Sequence, residues 1–542
     1  MTDTDDSIER ATDPARQAAL ARALQNAAVY GGAGPVETIE THISHLFLAG
    51  PWVYKIKKAV DLGFLDFRTL SARHFYCREE LRLNRRFAPQ LYREVVPIAG
   101  SVSEPVLGGS GEPIEWAVKM RRFPQEDRLD RRLAEHRLSV DMIDELAKTL
   151  ADFHVRIAAA TDTDNFGTPC TVRRPMQENF LQVGPLLQSP ADIDDLDLLR
   201  EWTLRALGHA QEAIVERKRG GFVRECHGDL HLANIALVDG RVTLFDCLEF
   251  NADLRWTDVM SDVAFLTMDL QSKDRDDLAQ RFLNAYLEHT GDYAGLCVLD
   301  LYRVYRALVR AKVACLGLTQ TAPEHRDRRA ALLDEYHRYI ARAKSLTQRP
   351  TPVLMIAHGF SGSGKTTLSQ TLLEMIGAVR IRSDVERKRL SGLPALARTQ
   401  SALGQGLYTR DASARTYTHL LNLAQNILAA GYSVFVDATF LRREQRDAFR
   451  RVAQALHVPF WIIDFSAEPE LLRARIRQRE RRARDASEAG LAVFESQLAD
   501  HDPLANEELC CVFSCDAGEL AAARNAPVFW VPLMQRLSDP PR

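Results

Sequence analysis

The sequence predicts two domains in series: an α+β half over residues 1–345, then an α/β half with a doubly wound parallel sheet over 346–542. Three observations carry that fold class. The chain is 542 residues long, more than one hydrophobic core serves. The N-terminal half gathers short β-like runs ahead of a long helical stretch, whereas strands and helices alternate beyond residue 351, which is the mark of a parallel sheet. Between the halves, Ser345–Thr351 reads as a linker, with Pro350 inside it and Pro352 next to it.

Apolar residues make up 46% and charged residues 26%, the balance of an ordinary globular protein. A formal net charge of −3 argues against nucleic-acid binding over the whole surface, though a local basic site stays open. The nine cysteines include no C-x-x-C pair, and Cys510, Cys511 and Cys515 fit neither zinc nor redox spacing; reduced thiols are expected. The acidic start MTDTDDSIERATD lacks the apolar core of a signal peptide, and no apolar run is long enough to cross a bilayer. A cytoplasmic protein without membrane attachment is expected. Composition sets no oligomeric state.

In chain order, an Ala-rich helical segment ends near Gly31-Gly32, and short strands are expected at Thr38–Ser44, His45–Leu48 and Trp52–Lys57. The last alternates apolar and basic residues, as a half-buried strand does. A helix around Arg73–Phe87 carries Glu79 and Glu80, and Ile114–Met120 reads as another strand. From Val140 the pattern is helical, with Met142, Leu146, Leu150 and Phe153 on one face. Within a later helix, Leu301–Cys315, Arg303, Arg306 and Arg310 share a face. A solvated basic stripe is the plainer reading of these three, and an anion-binding wall the sharper one.

The first chemical centre in the chain is Cys226-His-Gly-Asp-Leu-His-Leu-Ala-Asn-Ile235, followed by Val242-Thr-Leu-Phe-Asp246. His227-x-Asp229-x-x-x-x-Asn234 has the spacing of a kinase-type catalytic loop, in which the Asp accepts a substrate hydroxyl's proton and the Asn holds a metal. Asp246 ends the next short strand. Two carboxylates and an amide on neighbouring loops suit Mg²⁺, which prefers oxygen ligands. The plainer reading, a turn whose polar residues cap backbone groups, does not account for the trailing strand and acid. Asp258 and Asp262 are expected to fix this loop or cap a helix.

These residues, HGDLHLANI and LFD, resemble the aminoglycoside phosphotransferase-like, or choline-kinase-like, branch of the protein kinase fold, over roughly Gly31 to Lys344. The resemblance implies a bilobal fold with Asp229 as catalytic base, Asn234 and Asp246 as metal ligands, and a Lys/Glu pair as phosphate anchor. Lys55 is the matching lysine, with Lys57 and Lys58 adjacent; Glu80 is its expected partner, with Glu79 next. The family's nucleotide-covering loop should precede Trp52, yet no G-x-G-x-x-G stands there.

The second centre is Thr351–Thr367, TPVLMIAHGFSGSGKTT, in which Gly359-x-x-x-x-Gly364-Lys365-Thr366 is a phosphate loop with a strand before it and a helix after. Backbone N–H groups of Gly359, Ser361, Gly362, Ser363, Gly364 and Thr367 are placed to cradle phosphates at a helix N-terminus. Lys365 brings charge to the β- and γ-phosphates of ATP, and Thr366 a hydroxyl to Mg²⁺. Strands are expected at Ala378–Arg382, Gly431–Asp437 and Val458–Phe465, and Asp437 ends its strand in the Walker-B pattern of a metal-side acid. Leu471 to Arg484 is rich in arginine (Arg473, Arg475, Arg477, Arg479, Arg481, Arg482 and Arg484). It reads as a mobile lid over the transferring phosphoryl group, with Arg475 and Arg479 reaching the nucleotide.

This half resembles small P-loop kinases of the gluconate kinase and polynucleotide kinase type, in which an Asp after the second strand and an Arg three residues on handle the accepting hydroxyl. Asp384 and Arg387 match that pattern. The order of the halves resembles the bifunctional aminoglycoside phosphotransferase/ATP-binding proteins. The expected activity is ATP-dependent phosphoryl transfer to a small-molecule hydroxyl, with a candidate second transfer site in the N-terminal half. A nucleic-acid 5′-hydroxyl acceptor is disfavoured by the neutral charge balance and the lack of an aromatic, basic groove. A nucleotide-dependent switch is disfavoured by Asp384, since a switch needs no hydroxyl-activating base. AAA-type motor action is disfavoured too, for want of a separate sensor or arginine-finger segment.

Overall fold

The computed structural model describes residues 12–32, 34–63, 65–395, 397, 409–482, 490–518 and 526–538. It divides into two compact units: Met1–Met142 with Arg156–Pro175 and Ile214–Leu266, and Ile143–Val155 with Met176–Ala213 and Thr267–Arg542.

In the first unit, β1 (Glu37–Glu40), β2 (Ser44–Ala49), β3 (Trp52–Lys57), β4 (Tyr92–Gly100), β5 (Pro105–Leu107) and β6 (Glu115–Arg121) form one antiparallel sheet, ordered β1-β2-β3-β6-β4-β5. The first turn falls earlier than expected, at Thr41-His42-Ile43. Thr41 explains it: its Oγ1 accepts the Ser44 N–H at 3.0 Å while its own N–H bonds Ser44 O, so Ser44 opens the next strand. The helix Leu70–Asn84 starts ahead of Arg73 because Thr69 caps it, accepting the Ala72 N–H at 3.2 Å. Farther on come β7 (Val223–Glu225), β8 (Ile235–Val238), β9 (Arg241–Leu244) and β10 (Trp256–Asp258). β8 and β9 make a hairpin, and β7 pairs with β10.

The second unit opens with helices. Leu296–Gln320 packs along Arg326–Leu346, and this corrects the expected solvated stripe. Arg303 and Arg306 are buried, at 4% and 3% exposure, because residues 301–308 of their helix are covered on every face. Arg303 donates to Thr267 Oγ1 at 3.0 Å, and Arg310 is held by Glu335 at 3.0 Å and by Tyr339.

Five parallel strands follow: β11 (Leu354–His358), β12 (Val379–Arg382), β13 (Val434–Asp437), β14 (Phe460–Ser466) and β15 (Val512–Asp516), ordered β12-β13-β11-β14-β15. The chain fills one side of β11 before crossing to the other. The switch point therefore lies at the carboxyl end of β11, where doubly wound sheets place their ligands. Leu372, Leu373, Phe435, Trp461 and Trp530 are fully or nearly fully buried in the core on this sheet.

β12 is an edge strand, and the helix Asp276–Thr290 completes it with side chains. The Asn284 amide donates to Ala378 O at 3.0 Å and accepts the Arg380 N–H at 2.8 Å, the two bonds a neighbouring strand would have made. One turn earlier, Gln280 donates to Ala378 O at 2.7 Å.

Candidate active sites

In the first unit the catalytic-loop residues converge. Burial pushes His227 below its ordinary value, so the ring is neutral. Its Nε2–H donates to Phe245 O at 2.9 Å and its Nδ1 accepts the Asp229 N–H at 3.3 Å. Asp262 accepts the N–H groups of His227 and Gly228 at 2.8 and 3.0 Å, and Asp258 pairs with Arg217 at 2.6 Å. Asp262 thus braces the loop, and Asp258, which also accepts the Met260 N–H at 2.9 Å, caps the helix that follows, the two roles expected. The Asn234 side-chain amide donates to Asp229 Oδ2 at 2.9 Å and to Asp229 O at 3.0 Å. Asp246 takes φ 60°, a conformation that costs energy in a non-glycine residue and gathers at functional sites. Its Oδ1 lies 2.6 Å from Lys55 Nζ.

Lys55 also reaches Glu80 Oε1 at 2.9 Å, but it does not have that acid to itself. Lys57, fully buried, sits 2.8 Å from Glu80 Oε2 and pairs with Glu249 as well. The neighbouring Lys58 and Glu79 turn away from this cluster: Lys58 pairs with Glu40, and Glu79 with Arg82 and Arg255. Burial alone would raise the Glu80 carboxyl, yet Lys55 and Lys57 together hold it well below the usual range. Burial raises Glu249, and Glu80 adds to the rise against the pull of Lys57. Sequence reasoning missed Lys57 and Glu249 as partners. The signal was the two-residue period of Trp-Val-Tyr-Lys-Ile-Lys, which puts Lys55 and Lys57 on one face of β3. Glu80→Ala should make opening of β3 easier by about 3–5 kcal/mol, because two buried ammonium groups would lose their shared carboxylate. Hydrogen exchange of the β3 amides reads this directly, and a change under about 1 kcal/mol would show that Glu249 alone balances the pair.

In the second unit, the phosphate loop joins β11 to the helix Lys365–Leu368, with a second helix at Gln370–Ile376. Gly359 has φ 138°, and a Cβ there would stand 2.6 Å from Phe465 O, so only glycine fits. Lys365 Nζ turns back onto its own loop, donating to Gly359 O at 2.9 Å and Phe360 O at 2.8 Å. Burial pushes its ammonium down to about 8; Asp437 and Asp384 oppose the fall and Arg479 adds to it. Thr366 Oγ1 donates to Asp437 Oδ2 at 2.6 Å, which brings the two expected metal-side oxygens together. The Ser361 N–H is held by Gln497 at 3.0 Å, and Thr367 N bonds Gly364 O.

Asp384 lies in the first turn of the helix Ser383–Leu390, which leaves β12 directly. Arg387 Nη1 is 4.0 Å from its Oδ1. Tyr417, which sequence reasoning missed, is half-buried close enough to feel both charges, and its hydroxyl accepts the Phe440 N–H at 3.3 Å. On the arginine-rich helix Pro469–Arg482, Arg475 donates to Ser363 O at 3.4 Å and Arg479 lies near enough to act on Lys365. Arg473 pairs with Glu470 and with Glu495, each at 2.8 Å. The side chains of Arg481 and Arg482, and Arg484 altogether, lie outside the described residues.

The Phosphotransferase enzyme family matches residues 67–299, and a family described as AAA domain matches 354–504. Together they make the chain a kinase, with a phosphotransferase domain of the protein-kinase-like fold followed by a P-loop kinase domain. The chain belongs to the same family as the uncharacterized proteins Rv2004c of Mycobacterium tuberculosis and Mb2027c of Mycobacterium bovis. It is 32% identical to each over 467 residues, 86% of this chain and 91% of the relative. Among solved structures it is similar to a choline/ethanolamine kinase family protein from Mesorhizobium loti, at 15% identity and a TM-score of 0.36, over 61% of this chain and 99% of that one. It is also similar to a gluconokinase from Sinorhizobium meliloti, at 20% identity and a TM-score of 0.26, over 36% of this chain and 100% of that one. Among the described residues, no helix is long and apolar enough to cross a membrane.

Proposed function

We propose that this ATP-dependent phosphotransferase works chiefly through its P-loop half, moving the γ-phosphoryl group of ATP·Mg²⁺ to a hydroxyl of a small molecule. The observation that carries this is the grouping of two sets of side chains at the carboxyl ends of adjacent strands. Thr366 and Asp437 meet at 2.6 Å, and Asp384 with Arg387 starts the helix after β12. The first pair offers oxygen ligands only, which fits Mg²⁺. When bound, that ion would neutralise charge on the triphosphate. Lys365 leaves its loop carbonyls for the β- and γ-phosphates, and Arg475 and Arg479 face the charge that builds up in transfer. Asp384 takes the proton of the attacking hydroxyl, and Arg387 holds the acceptor beside it. Asp229, Asn234 and Asp246 form a second, similar set of oxygens, with Lys55 and Glu80 as its phosphate anchor.

The test is transfer of the γ-phosphoryl of radiolabelled ATP to metabolite pools by the full chain, alongside Lys365→Ala and Asp246→Ala. Products lost only in Lys365→Ala belong to the P-loop half, and products lost only in Asp246→Ala to the other. Loss of an inorganic-phosphate product alone would favour a slow nucleotide switch over transfer. With Lys365→Ala in place, the remaining Mg²⁺-dependent ATP binding should fall at least about tenfold on adding Asp246→Ala. If no such binding remains to be lost, the N-terminal half keeps the kinase shape without the activity.

A further inference from the structure

β12 and β13 pair so that Arg382 stands directly opposite Asp437. Its Nε is 3.9 Å from Asp437 Oδ2, the same oxygen that accepts the Thr366 hydroxyl. On its other side, Arg382 Nη1 donates to Glu288 Oε1 at 2.8 Å. Glu288 lies on the helix Asp276–Thr290, one turn beyond Asn284, which bonds the backbone of Ala378 and Arg380, and two beyond Gln280, which bonds Ala378 O just ahead of β12. Arg380 approaches Glu288 Oε2 at 3.5 Å, and Arg389 donates to Glu288 O. This carboxylate is therefore fixed in place at the strand that leads into Asp384.

A guanidinium and a divalent cation compete for the same carboxylate oxygen, and a charge-assisted pair in a half-buried place is strong enough to matter. Glu288 and Asp437 are both within reach of Arg382, and which of them it favours decides how much negative charge Asp437 offers. We propose that Glu288 is a positioning residue for the P-loop site: by holding Arg382 it keeps that guanidinium off Asp437 and leaves the carboxylate open to a divalent cation. Conversely, a cation at Asp437 tightens the Arg382–Glu288 pair. The helix that carries Glu288 lies inside the segment matched by the phosphotransferase family, so one half of the chain supplies a setting for the other's metal side.

The inference rests on Thr366 and Asp437 being the metal side, and the test separates the two ideas. A fluorescent, non-hydrolysable ATP analogue is titrated against the full chain at rising Mg²⁺, with Lys365→Ala giving the baseline from nucleotide held elsewhere. Glu288→Gln should raise the Mg²⁺ concentration for half-maximal binding about five- to tenfold, with metal-free binding kept within about twofold. The double variant Glu288→Gln/Arg382→Gln should return to within about twofold of the parent, since the competing guanidinium is gone. Arg382→Gln alone, which keeps Glu288, should not raise the Mg²⁺ requirement. An unchanged requirement in Glu288→Gln, an unrescued double variant, or loss of metal-free binding in Arg382→Gln each overturns the proposal. A parent chain with no Mg²⁺ dependence above baseline overturns the metal-side reading itself.

Discussion

Asp384→Asn should lower phosphoryl transfer by about 10²–10⁴-fold, some 3–5 kcal/mol of barrier, while ATP affinity stays within about twofold. The carboxylate stands at the start of the helix Ser383–Leu390, with no bond to the phosphate loop among those described, so its loss removes a proton acceptor and leaves the cradle intact. Asn is close to Asp in shape, and Arg387 4.0 Å away keeps a polar neighbour. Steady-state transfer and equilibrium binding of a non-hydrolysable analogue, measured on the same preparation, give the two numbers. A fall in turnover of less than about threefold would remove Asp384 as the base and favour the switch.

Lys365→Ala should cost about 10²–10³-fold in kcat/KM for ATP, as removal of one preorganised charge at a developing phosphoryl group does. Its pH behaviour offers a sharper check. In the free protein the ammonium has been pushed down to about 8 by burial, whereas a bound triphosphate favours the charged form. Binding above pH 8 must then take up a proton, so ATP affinity should fall by up to about tenfold per pH unit as the pH rises beyond 8. Lys365→Ala should flatten that slope. The folded value lies below the ordinary lysine value of about 10.4, so the unfolded chain holds more protons between the two. Stability of the nucleotide-free protein should accordingly rise with pH across that window, the opposite direction to affinity.

The two sites were legible to different degrees, for physical reasons. The phosphate loop is local in the chain: Gly359, Lys365 and Thr366 lie within eight residues, so spacing alone pointed to them. Asp229, Asn234 and Asp246 are nearly as local, one hairpin apart. The shared carboxylate of Glu80 was harder, because β3 and the helix Leu70–Asn84 meet only in the folded unit. Adjacent lysines on a strand do not announce that two of them turn inward. Arg303 and Arg306 were misread for the same reason: charge at helical spacing looks solvated until a second helix covers it. Glu288 and Arg382 were invisible, since nothing in the sequence links an acid before the linker to an arginine after it. The early turn at Thr41 was readable in principle from Thr and Ser bonding backbone groups, and it was missed for lack of a glycine or proline.

The side-chain amide of Asn284 on the β12 backbone has a consequence for handling the protein. An uncovered edge strand offers a row of open N–H and C=O groups to any extended chain in reach, including another copy of itself. Here Gln280 and Asn284 occupy that row from outside residues 346–542. A P-loop half expressed alone would carry Ala378 O and Arg380 N bare beside the apolar Val379 and Ile381. It should come out of solution by edge-to-edge aggregation, for reasons that have nothing to do with its catalytic residues.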